Sequence, residues 1–125
     1  MRPDDRRYLA SHEWCRMEDG LAVIGVTDVG AAMMPSPVFL DLPPVGTTVA
    51  IGRPFGECET PNGTLDLISP VDGEIVEVHQ DLVEDLGALG SDPFGEGWMI
   101  KVRATAEAPG LRDAAAYERV CDASS

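Results

Sequence analysis

The stretch FGECETPNGTLDLISPVDG, residues 55–73, decides how this chain is read. Its centre is Thr60-Pro61-Asn62-Gly63. Proline presets the first corner of a turn, and Asn-Gly tolerates the positive φ that closes one. Two runs flank that centre, Phe55–Glu59 and Thr64–Ile68. The spacing predicts a β-hairpin whose tip is Pro61–Gly63.

Outward from the hairpin the chain repeats itself, the pattern to seek before any other. GTTVAIGRPF starts at Gly46 and GEIVEVHQDL starts at Gly73. Laid over one another, Gly46 falls on Gly73, Val49 on Val76, Ile51 on Val78 and Phe55 on Leu82. Each copy has a glycine turn and then apolar and polar residues in alternation, the mark of a strand with one buried face. Two such copies imply two similar β layers packed face to face about a pseudo-twofold axis.

The remaining elements are shorter. Strands are expected around Tyr8–Trp14, at Leu21–Val26 after the turn Glu18-Asp19-Gly20, and at Trp98–Val102. Thr27 caps a short helix over Asp28–Met34, which Pro35 ends. Pro37, Pro43 and Pro44 confine Val38–Leu42 to an edge or a short strand. An amphipathic helix is expected over Leu111–Val120, with Leu111, Ala115 and Val120 on one side and a fraying tail at Asp122–Ser125.

At 125 residues the chain reads as a single domain, 1–125, with its core over about 8–103. The fold class is all-β: a flattened barrel-sandwich hybrid of two pseudo-symmetric β layers with short peripheral helices. Twenty-two acidic residues against nine basic ones give a net charge of −13, which repels phosphate backbones and anionic lipid. Nucleic acid and membrane are therefore excluded as partners. No apolar run is long enough to span a bilayer and no secretory signal is visible, so the expected location is cytoplasmic. Cys15, Cys58 and Cys121 form neither a disulfide framework nor a zinc-type pair, and no metal site is expected. The chain has one lysine, Lys101.

The two-layer pattern with a hairpin midway resembles the biotinyl/lipoyl domain. HEW at His12–Trp14, VIGVTD at Val23–Asp28 and LPPVGTTV at Leu42–Val49 resemble blocks of the glycine cleavage H-protein family. DLISPVDGEIVEV at Asp66–Val78 and SDPFGEGWMIKV at Ser91–Val102 do so too, and all follow in family order without a gap from about Tyr8 to Val102. The resemblance implies a carrier, not an enzyme. It bears lipoate on a hairpin lysine and moves an aminomethyl group among decarboxylase, aminomethyltransferase and lipoamide dehydrogenase components.

The family's attachment motif reads Glu-Ser-Val-Lys-Ala, and here the same stretch reads Glu59-Thr60-Pro61-Asn62-Gly63. Glu59 and Asp66 keep their places, but the lysine position is Asn62. An amide nitrogen delocalised into its carbonyl is no nucleophile, unlike an ε-amine on a flexible stem. Lys101 sits in the expected last strand, its stem covering apolar surface. No cofactor is therefore expected, although the family implies lipoate. The expected function is a non-lipoylated accessory or regulatory module that docks on glycine-cleavage or other lipoate-dependent enzymes. Its docking hairpin is Glu59, Thr60, Pro61, Gly63 and Asp66. The alternative is a working carrier in glycine decarboxylation.

Other candidates read as structure. Cys58 has no neighbouring cation to lower its pKa and reads as a small strand hydrophobe. His79 lies where the resemblance implies that a bound arm docks, and is the one residue retained as a ligand contact. The carboxylates Glu74, Glu77, Asp81, Glu84 and Asp85 read as a solvated face, and Gly95 and Gly97 as a turn. With no nucleophile, base or metal constellation in view, catalysis by the chain itself is not expected.

Overall fold

The computed structural model describes residues 2–124. Two antiparallel sheets form the body, with short helices at the periphery, in agreement with the expected class. The larger sheet runs in the order β1 (Arg7–Tyr8), β2 (Glu13–Glu18), β3 (Leu21–Val26), β9 (Ile100–Glu107), β8 (Val71–Val78) and β5 (Thr48–Val49). The smaller sheet is β4 (Phe39–Asp41), β6 (Pro54–Thr60) and β7 (Gly63–Ile68). Helices α1 (Asp28–Ala32), α2 (Gln80–Glu84), α3 (Gly87–Ser91) and α4 (Ala114–Ser124) complete the chain.

Local chemistry explains the turns. Glu18 pairs with Leu21, leaving Asp19 and Gly20 as a two-residue loop, with φ of 52° and 81°. Positive φ at both positions matches the right-handed twist of the strands it joins. Thr27 caps α1 as expected, its Oγ1 accepting from the Gly30 amide at 3.2 Å, but the helix ends at Ala32, earlier than Met34.

The two copies of the repeat differ from the expectation: the first forms strand only at Thr48–Val49 before β6, with Ile51 in a turn, and Leu82, the counterpart of Phe55 in β6, lies in α2. β5 and β8 lie side by side in the larger sheet, with Thr48 opposite Glu74 and Val49 opposite Gly73. Period-two alternation identifies a strand and says nothing of its neighbour. At Gly73 a side chain would collide with the Arg103 carbonyl oxygen, so only glycine lets β8 lie this close to β9.

Other boundaries also move. The expected strand around Tyr8–Trp14 divides into β1 and β2, and the one expected at Trp98–Val102 starts at Ile100 and runs to Glu107. α4 begins at Ala114, so Leu111 precedes it, and helix continues through Asp122 to Ser124 where fraying was expected. Of that tail, Ser125 lies outside the described residues.

Burial divides the interior into two clusters. The larger holds Ile24, Leu40, Cys58, Leu67, Ile75, Ile100 and Val102 between the sheets. The smaller holds Tyr8, Trp14, Val23 and Tyr117 under α4. Tyr117 stacks on Tyr8 at 4.8 Å and shares its hydroxyl between His12 Nδ1 (2.6 Å) and Thr27 Oγ1 (2.7 Å). β3 lies between the clusters, which is why LAVIGV is a continuous apolar run and not an alternating one.

Candidate functional site: the β6–β7 hairpin

Thr60 pairs with Gly63, so the tip is the two residues Pro61 and Asn62, both exposed. Gly63 belongs to β7 and takes the positive φ, 133°, which Asn62 does not. Thr60 is buried and holds the tip from beneath. Its hydroxyl accepts from the Asn62 amide and donates to the Gly63 carbonyl, each at 3.1 Å. Below it, Cys58 is fully buried opposite Leu40 and Leu65, and burial pushes its thiol pKa up. That is a packed thiol, not a reactive one.

The hairpin therefore brings together Glu59, Thr60, Pro61, Asn62, Gly63 and Asp66. His79 stands apart, between the end of β8 and the first turn of α2. Its Nδ1–H donates to the Trp98 carbonyl at 2.6 Å, and its ring stacks on the Trp98 indole at 4.2 Å. The cleft it shares with Asp81, Leu82, Asp85, Ala88 and Glu96 holds about 160 Å³. That is small beside the ~300 Å³ and upward of ordinary ligand pockets. Among the described residues no group of three or more His, Cys, Asp or Glu is placed to hold a metal.

An amide-linked lipoyl arm needs an amine, and the tip offers the carboxamide of Asn62. Lys101 stands on β9, its side chain one-fifth exposed. Its Nζ lies 3.3 Å from Glu18 Oε1, 3.8 Å from Glu77 Oε1 and 5.0 Å from the Trp98 ring centre. The residues present at the hairpin do not fit an amide-linked arm.

One residue of the site has no signal in the sequence. Glu13 of HEW is buried beside the hairpin base, where its carboxylate accepts from Ser11 Oγ (2.5 Å) and from the Ile68 amide (2.9 Å). It ties β2 of one sheet to β7 of the other. Burial pushes its pKa above the ordinary carboxylate range, although both hydrogen bonds act in the opposite direction. The folded chain then retains a proton that the unfolded chain has lost, so stability falls as pH rises from the ordinary glutamate value through the raised one. Glu13→Gln keeps the acceptor for Ile68 and removes the charge. In urea unfolding the variant is expected to gain stability over wild type as pH rises from the ordinary glutamate value through the raised one. A constant difference across that range would refute the assignment. His12, whose pKa burial lowers, is common to both proteins and cancels.

The family model described as Glycine cleavage H-protein matches residues 6–124. The chain belongs to the glycine cleavage H-protein family. It is 41% identical over 117 residues to the glycine cleavage system H protein of Rubrobacter xylanophilus, covering 94% of this chain and 92% of that one. It is 39% identical to the mitochondrial glycine cleavage system H protein of Oryza sativa subsp. indica, covering 95% of this chain and 74% of that one. The crystal structure of the H protein from Mycobacterium marinum superposes with a TM-score of 0.91 at 37% identity, covering 97% of this chain and 99% of that one.

These findings overturn the expected accessory or regulatory role. Kinship at about 40% runs along nearly the whole chain, with proteins whose names are those of the working carrier. The family is lipoate-bearing, so the expectation of no cofactor has no support from it. Members are carriers with protein partners and not enzymes themselves. Among the described residues no helix is long and apolar enough to cross a membrane.

Proposed function

We propose that this chain is a carrier of the glycine cleavage type, moving an aminomethyl group between component enzymes in the cytoplasm. The observation that carries this reading is full-length kinship to curated H proteins on a superposable fold. The hairpin Glu59, Thr60, Pro61, Gly63 and Asp66 is its docking element, presented rigidly by the Thr60 hydroxyl. His79 is pinned by Trp98 and serves the shape of the β8–α2 corner, leaving Nε2 as its open atom.

The attachment chemistry is where the reading is most exposed, because Lys101 is the chain's only side-chain amine. The test is reconstitution with purified decarboxylase, aminomethyltransferase and lipoamide dehydrogenase after incubation with lipoate and a lipoate ligase. Glycine-dependent CO₂ release that requires this chain is the expected result. No release, with the component enzymes active on another H protein, sinks the carrier reading. Intact mass and peptide mapping of the same sample locate any lipoyl-sized increment.

A further inference from the structure

The hairpin tip carries an Asn-Gly step, and Asn62 is the chain's one asparagine. Its side chain stands in solvent and enters no hydrogen bond among the described residues; the bond to Thr60 Oγ1 is made by its backbone amide. Gly63 follows with φ of 133°, and a β-carbon placed on it would meet nothing within 4 Å. No neighbour crowds the path from the Asn62 side-chain carbonyl to the Gly63 backbone nitrogen. Gly63 pairs with Thr60 as the last rung of an exposed hairpin, and such terminal pairs open at little cost.

Two Asp-Gly steps elsewhere in the chain give the contrast. Asp72-Gly73 lies in β8, where Asp72 Oδ1 accepts from the Ile51 amide at 2.8 Å and Gly73 is pressed against the Arg103 carbonyl. That step is locked. Asp19-Gly20 is an exposed turn with open space around the glycine. Carboxylates, ionised at neutral pH, are poor electrophiles, however. A carboxamide has no such bar. The Asn62 amide fails as a nucleophile, but its carbon accepts one and its nitrogen leaves as ammonia.

We infer that Asn62-Gly63 is a self-modifying site, at which the folded chain loses its apex carboxamide to water. The deprotonated Gly63 nitrogen attacks the Asn62 side-chain carbonyl carbon and closes a cyclic imide. The bond from that carbon to Nδ2 breaks, and ammonia leaves with the proton the Gly63 amide gave up. Water then opens the imide. Addition at the side-chain carbonyl leaves aspartate, and addition at the main-chain carbonyl leaves isoaspartate, whose backbone runs on through the former side chain. Nothing is oxidised or reduced; water enters and ammonia departs. Either product puts one further negative charge on the hairpin of a chain already at −13. Isoaspartate also lengthens the turn, so the Thr60 hydroxyl no longer spans the amide of residue 62 and the Gly63 carbonyl. The site needs no partner enzyme and does not rest on the carrier reading.

Ageing of the purified chain in buffer, followed by intact mass and ion-exchange chromatography, tests the site. The mass is expected to rise by the difference between an amide and a carboxyl, once per chain. A more acidic species and released ammonia should grow in step with it. The change should run faster at mildly alkaline than at mildly acidic pH, because the Gly63 nitrogen must first give up its proton. Peptide mapping should find aspartate and isoaspartate at residue 62, and hydroxylamine should split the imide-bearing chain between residues 62 and 63. Asn62→Gln keeps a carboxamide but sets it one carbon farther from the glycine nitrogen. It should unfold at the wild-type temperature and hold its mass over the same interval. The same gain in that variant would assign the lost amide to Gln80 and overturn the inference. So would wild type that changes in guanidinium chloride but not when folded, since the turn would then protect its own tip. Isoaspartate appearing at Asp72 as fast as at residue 62 would show that the open tip selects nothing, and would overturn it too.

Discussion

Asn62→Lys, incubated with lipoate and a lipoate ligase, is expected to gain one lipoyl-sized mass increment that maps to residue 62. The tip is prepared for it. Pro61 and Asn62 are exposed, and the Asn62 backbone amide, not its side chain, makes the bond to Thr60. Gly63 supplies the positive φ, and Glu59 and Asp66 already flank the turn. The substitution adds an unbranched stem ending in a nucleophile, and its effect on stability is expected to stay within about 0.5 kcal/mol.

Lys101 offers no comparable acceptor. It lies near the start of β9, opposite Val23 on one side and Glu77 on the other, with its ammonium between two carboxylates and an indole. An arm anchored there starts on the wrong sheet for a hairpin docking surface. In the reconstituted system the lysine variant should therefore exceed wild type in glycine turnover by about two orders of magnitude, the usual scale of loss when a reacting group is misplaced. Equal turnover by the two proteins would show that position 62 is not where the load is carried. An unmodified Asn62→Lys chain would show that this hairpin no longer presents its tip to a ligase.

What the sequence discloses about this fold follows the range of the interactions involved. The hairpin is legible because turn chemistry and alternation are local; only its ends move, by a residue, as Thr60 joins β6 and Gly63 joins β7. β3 is legible to the residue, since the turn at Asp19-Gly20 and the cap at Thr27 bracket it. α2 and α3 leave no trace because neither has a side-chain cap: His79 and Leu86 precede them without bonding the first turn. The side-by-side placement of the two repeat copies is hidden for a different reason, since strand order is set by long-range packing. Glu13 is hidden likewise. A lone acidic residue in a strand reads as exposed, and only the fold shows the Ile68 amide waiting for it. The family resemblance is readable, but the role drawn from Asn62 outruns it. One position defines a reaction, whereas kinship along the whole chain defines the function.

Trp14→Ala is expected to remove about 3–5 kcal/mol of stability, the largest effect of any single substitution considered. The indole is wholly buried and fixed on every side. Its Nε1 donates to the Pro93 carbonyl at 3.0 Å, and the Arg6 guanidinium lies 4.5 Å from the ring centre. Across the strand pair Gly25 leaves room for the ring: a β-carbon there would approach it to 2.7 Å. Truncation opens a cavity, strands the Pro93 carbonyl without its donor and deprives Arg6 of the ring. Against the roughly 5–15 kcal/mol typical of a domain, that loss is a large fraction of the total and moves the midpoint of urea unfolding to clearly lower denaturant. Trp14→Phe keeps much of the volume and loses the hydrogen bond, so about 1–3 kcal/mol is expected. The residue lies in the smaller cluster under α4, whereas the hairpin packs on the larger one between the sheets. The part of the Trp14→Ala population that stays folded should therefore bind the component enzymes with wild-type rates, and amplitude alone should fall. A changed dissociation rate in that folded fraction would show that the two clusters act as one, and that the docking sheet depends on the packing beneath α4.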